Sequence, residues 1–175
     1  MLIAFKSIKP KIGKDVLICE GAKIIGEVEI GDNVSIWYNC VLRGDVNFIK
    51  IGRNTNVQDL SMIHVWHREP NMPDSGFPTT IGDNVTIGHS CIIHACHIHD
   101  NCLVGMGSII MDGAEIGKDS IVGAGAVVTK GKKFPPKSLI LGNPAKFIRE
   151  LTSEEIEEIA NSAIRYVAFK NEFLS

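Results

Sequence analysis

One spacing governs this chain: an aliphatic residue returns at every sixth position. The series runs Ile12, Ile18, Ile24, Ile30, Ile36 and Leu42, resumes at Ile51, Val57 and Ile63, and again at Ile81, Ile87 and Ile93. After one shorter step it continues through Ile98, Val104, Ile110, Ile116, Val122 and Val128. An amphipathic helix needs apolar residues at steps of three and four instead. Gly often follows the aliphatic residue, as in "IGKD", "IGDN" and "IGRN", and a small or β-branched residue stands four places after it, such as Ala22, Val34, Val85 or Ala126. Short strands joined by Gly-Asp and Gly-Asn turns, three to a coil, predict an all-β parallel β-helix with a triangular cross-section. The aliphatic positions from Ile12 to Val128 predict about six coils, each hydrogen-bonded to the next at about 4.8 Å.

Two interruptions stand out. Extra residues follow Leu42 around "DVNFIK", and "HVWHREPNMPDSGFPTT" after Ile63 predicts a protruding loop over 64–80, long enough to be functional. After Val128 the pattern gives way to a strap, "TKGKKFPPKSLILGNPAKFIREL". The last segment opens with a capping box, Thr152 and Glu155. It then carries an apolar stripe of Ile156, Ile159, Ala160, Ala163 and Val167, which predicts a helix laid on the prism. The expected organisation is one domain: residues 1–150 form the β-helix with its loop and strap, and 151–175 form the helix packed on it.

Composition narrows the function classes. Eighteen basic and 20 acidic residues leave no charge excess for nucleic acid or an anionic membrane. No segment has signal-peptide or membrane-span character. Five cysteines without paired CxxC spacing suit a reducing compartment, so a cytoplasmic protein is expected.

The repeat register then assigns the histidines, four of which crowd into "IGHSCIIHACHIH". His64 follows Ile63 and His94 follows Ile93, the same corner of neighbouring coils, so the two imidazoles stack one strand spacing apart and can share a metal ion. Arg43 follows Leu42 and joins that column. His89 is second after Ile87, one corner back, roughly 16 Å away along an extended chain at about 3.3 Å per residue. Asp59, second after Val57, stacks beneath it. A three-fold ring of prisms would bring these unlike faces together. Its metal would take His64 and His94 from one subunit and His89 from the next, with Arg43 facing Asp59. His97 and His99 match no column and are expected to be surface residues. Cys40, Cys91 and Cys102 fall at the small interior position.

The stretches "RGDVNFIKIGRNTNVQD", His64, "IGHSCIIHACHIHDNCLVGMGSIIMDGAEIG" and "GNPAKFIREL" together resemble the γ-class carbonic anhydrase family, particularly its short, compact branch. The resemblance implies a left-handed winding, which the spacing leaves open because parallel crossovers are normally right-handed. It implies a homotrimer in which His64, His89 and His94 bind Zn2+ or Fe2+. A metal-bound hydroxide there would hydrate carbon dioxide reversibly to bicarbonate. It also implies an intersubunit pair of Arg43 and Asp59, a neighbouring carboxylate in Asp45, and polar residues Asn56 and Gln58 beside the metal-bound water. Val46 stands where an acidic relay would be expected. The loop offers Glu69, Asp74 and His67 instead, of which His67 is the expected relay because imidazole as a residue type exchanges protons near neutral pH. Two other readings share the prism: an acyltransferase using acyl-CoA with a seam histidine as general base, and a trimeric scaffold with weak or vestigial activity.

Overall fold

Three ladders of parallel strands, most of them two or three residues long, wind about a single apolar axis. The computed structural model describes residues 1–68 and 76–175. On the first face Ile12, Ile30, Ile51, Ile81, Ile98, Ile116 and Phe134 stack in register. On the second, Ile18, Ile36, Val57, Ile87, Val104, Val122 and Ile140 do so. The third carries Ile24, Leu42, Ile63, Ile93, Ile110 and Val128. The solenoid therefore has about seven turns, one more than the sequence reading counts. The segment taken for a strap continues the six-residue step to Phe134 and Ile140. An aromatic at the last interior place of the first face, Phe134, and the prolines beside it hide the repeat.

Beyond the first coil, where Ile12 and Ile18 are partly buried, the inward side chains are buried, including Cys40, Cys91 and Cys102. The corners explain the turn residues. Asn33, Asn54, Asn84 and Asn101 all adopt a left-handed backbone, which asparagine tolerates better than most residues. Their side chains also link coils, with Asn54 Nδ2 donating to Asn84 Oδ1 at 3.0 Å. Gly52 is required by space: a Cβ there would lie 2.5 Å from the backbone of Gly82.

The strands Lys23–Ile30 and Val41–Ile51 run round the corner from the third face to the first and join those faces in one sheet. Their register jumps from Gly26↔Gly44 to Val28↔Ile49, so the extra residues after Leu42 form a bulge over Asp45–Phe48. Asn47, buried in that bulge, donates to the Trp66 carbonyl at 3.1 Å and ties it to the segment that follows Met62–His64. Trp66 N donates to Phe77 O at 2.9 Å. Glu69 and Asp74 lie outside the described residues.

The helix Ser153–Leu174 begins at the expected capping box, with Glu155 N donating to Thr152 Oγ1 at 3.3 Å and Thr152 N donating to Glu155 Oε2 at 2.9 Å. It lies along the second face. Ile159 and Ala163 are buried, and Ile156, Ala160 and Val167 half-buried. Tyr166 and Phe173 meet the Trp37 ring edge-on at 5.8 and 5.3 Å. Cys19 belongs to this cluster under the helix.

These two kinds of contact differ in weight. Ile110→Ala removes a fully buried side chain and is expected to lower the unfolding free energy by about 2–5 kcal/mol. Thr152→Ala, which removes the cap, should cost about 1 kcal/mol. Denaturant titration of both variants measures the difference.

Candidate metal centre

The corner between the third and first faces holds the first group of side chains. His64 and His94 end the strands Met62–His64 and Ile92–His94 and pair directly in register. His64 Nδ1 lies 3.1 Å from His94 Nε2, and the ring centroids are 5.1 Å apart. Two imidazoles on one tetrahedral ion, each with its nitrogen at about 2.0–2.1 Å, have nitrogens about 3.3 Å and centroids about 5.2 Å apart. The pair thus has the bite of a tetrahedral site.

Behind each ring stands a carboxylate. His64 Nε2 is 3.0 Å from Asp45 Oδ1, and His94 Nδ1 bonds Asp112. Such contacts fix which nitrogen faces a metal and raise its basicity. Arg43 bonds Asp45, and its Nη2 is 3.5 Å from His64 Nδ1. Burial holds the His64 pKa below its ordinary value; the Asp45 hydrogen bond opposes that and the Arg43 charge adds to it. Burial alone would raise the Asp45 pKa, but the His64 and Arg43 contacts outweigh it and the carboxyl stays below its usual range.

The corner between the second and third faces holds the other group. His89 Nδ1 lies 2.8 Å from Asp59 Oδ2. Gln58 Nε2 donates to Asn56 Oδ1 at 3.1 Å, and Asn56 Nδ2 donates to Thr86 Oγ1 at 2.9 Å. Gln58 and His89 line one cavity of about 420 Å³ with Leu103, Met106 and Ser162. Arg43 and Asp59 are engaged by Asp45 and His89 within the chain. Among the described residues no three His, Cys, Asp or Glu side chains of one chain converge on a metal position. His67 stacks on Trp66 at 5.2 Å, and Trp66 meets His94 edge-on at 6.4 Å.

Two features escaped the sequence reading. Asp112 stands one place beyond Met111, the residue after Ile110 in the coil above His94; the five-residue step before Ile98 displaces it from the counted column. The second is the outward side of the third face. From the second coil onward the residue preceding the aliphatic is apolar there, Val41, Met62, Ile92, Ile109 and Val127, with Ile92 exposed and the others half-buried; Lys23, before Ile24, is the exception. On the first face the corresponding residues include Lys11, Glu29, Lys50, Glu115 and Lys133.

The family description "Bacterial transferase hexapeptide (six repeats)" matches residues 9–44, 78–110 and 95–130. An Arabidopsis thaliana protein named Gamma carbonic anhydrase 2, mitochondrial, is 47% identical over 158 residues, 90% of this chain and 56% of its own length. The chain belongs to the γ-class carbonic anhydrase family. As a γ-class member its prism is left-handed. A protein of Geobacillus kaustophilus named Carbonic anhydrase is 44% identical over 95% of this chain and 87% of that one. The chain spans little more than half of the plant relative but nearly all of the bacterial one. A crystal structure of a hexapeptide transferase family protein from Anaplasma phagocytophilum superposes with a TM-score of 0.90 at 42% identity, covering 99% of this chain and 98% of that one.

The lowered His64 pKa has a testable sign. A histidine whose folded pKa lies below 6.5 contributes stability that is complete above that ordinary value and is lost as pH falls through the folded one. In metal-free protein the His64 ring signals are expected to titrate below 6.5; a midpoint at or above it would contradict the burial assigned to this ring.

Proposed function

We propose that the protein catalyses the reversible hydration of carbon dioxide to bicarbonate at Zn2+ or Fe2+ sites on the seams of a homotrimer. The observation that carries this reading is the His64–His94 pair, whose nitrogens and centroids have tetrahedral spacing. His89 of the adjoining subunit would supply the third nitrogen. A bound ion supplies Lewis acidity that brings a coordinated water's pKa towards 7.

The chain's own residues do the rest. Asp45, Asp112 and Asp59 each hold the far nitrogen of one histidine, so all three rings present a defined nitrogen. Gln58 donates its amide N–H to Asn56, which leaves Oε1 to accept a hydrogen bond from the attacking water and orient it. Arg43, already beside His64, reaches Asp59 of the next subunit across the seam, where Asp59 has a second oxygen to offer. His67, on the Trp66 ring, passes the released proton to solvent. The apolar outward row of the third face supports the trimer, because five such residues on consecutive coils gain by being buried together. All five cysteines are free, as a reducing cytoplasm would keep them, and no helix among the described residues is long and apolar enough to cross a membrane.

Acyl transfer from acyl-CoA is the second reading, favoured by the name of the Anaplasma neighbour and by the apolar cavity beside His89. Metal analysis with a hydration assay separates the two. The expected result is about one zinc or iron per chain and measurable hydration under anaerobic conditions. Asp112→Asn should weaken metal affinity by about 10–100-fold, and His94→Ala should remove both metal and hydration while the fold persists. Ile92→Glu should dissociate the trimer and release the metal with it. A metal-free trimer that acylates small amines or hydroxyls would reject the proposal.

A further inference from the structure

A second pair of histidines lies on the first face, away from the proposed seam. His97 and His99 flank the inward Ile98, so both rings point outward. Their centroids are 4.1 Å apart and the rings are nearly perpendicular, at 86°. Each ring is anchored through one nitrogen. His97 Nδ1 bonds the Thr80 hydroxyl in the coil below. His99 Nε2 lies 3.1 Å from Glu115 Oε1 in the coil above, and Glu115 Oε2 is in turn 3.0 Å from Lys133 Nζ. The Glu115 carboxylate accepts from His99 Nε2–H and so leaves the lone pair on Nδ1, while His97 Nε2 is the nitrogen that the Thr80 contact does not use. Open cavities of about 290 and 480 Å³ lie on either side of the pair, so water and small ions have access.

Two imidazoles in cis positions of a square-planar ion have centroids about 4.5 Å apart, against about 5.2 Å on a tetrahedral one, if each nitrogen sits at about 2.0–2.1 Å. The His97–His99 separation of 4.1 Å is shorter than both values, so the perpendicular rings would have to swing slightly apart to share an ion, as two outward-facing imidazoles at i and i+2 on one strand face can. Nitrogen ligands with open remaining positions suit Cu2+ or Ni2+.

We infer that His97 and His99 form a solvent-open, two-histidine chelate for Cu2+ or Ni2+, its other positions filled by water. Glu115 is engaged with His99 and Lys133 and acts as a positioning residue, keeping the His99 Nδ1 lone pair outward. Binding is tighter for Cu2+ than for Ni2+, following the general order of divalent affinities.

The test uses the intact trimer with its zinc or iron content measured before and after titration with Cu2+, followed by electron paramagnetic resonance. One additional Cu2+ per chain with two nitrogen ligands is expected, while the original metal stays in place. His97→Asn and His99→Asn should each weaken this binding by at least about tenfold, and Glu115→Gln by about tenfold or more, with unchanged circular dichroism. His64→Asn should leave it intact. Copper binding that survives both His97→Asn and His99→Asn, or no additional copper per chain, would overturn the inference. Since the original metal is measured in the same samples, its absence would count against the hydration reading alone.

Discussion

Everything in this molecule depends on the hydrogen-bond ladder between coils. Each short strand pairs in parallel with the strand one coil above and one coil below, so a residue's neighbours are set by counting along the chain. A slip of one residue would turn the aliphatic row outward and every outward row inward. The buried aliphatic stack forbids that slip, and it thereby fixes which polar side chains stand over one another. His64 and His94 are thirty residues apart in the chain yet directly paired, because the protruding loop leaves and re-enters the ladder without changing its phase.

The same ladder gives each face a separate character. The first face presents alternating charges, with Glu29 beside Lys50 and Glu115 beside Lys133, as a surface in water would. The second is covered by the helix. The third displays an apolar row of which Ile92 is exposed and the others half-buried. A prism built this way presents three chemically distinct faces.

Chemistry follows the same division. One corner carries two histidines with nitrogens turned together, and another carries one histidine backed by Asp59 at 2.8 Å. Neither set completes a three-nitrogen site in one chain. The two sets stand at opposite edges of the apolar third face, and a heterologous contact that closes into a ring is the kind that joins one edge of a copy to the other edge of the next.

Much of this was legible in the sequence because a period of six with a fixed inward residue leaves the chain one way to bury its aliphatics. The register of His64 over His94, the place of Asp59 beneath His89 and the capping box at Thr152 followed by counting. Counting failed where the repeat changes its residue type or its step: the last turn is disguised by Phe134 and the prolines, and Asp112 is displaced by the five-residue step. Tertiary structure alone decided the rest. Which nitrogen of each ring faces its partner, which carboxylate stands behind it, and how far apart two centroids lie depend on side-chain torsions and on neighbours from other coils. Those are set by packing in three dimensions, and no spacing along the chain encodes them.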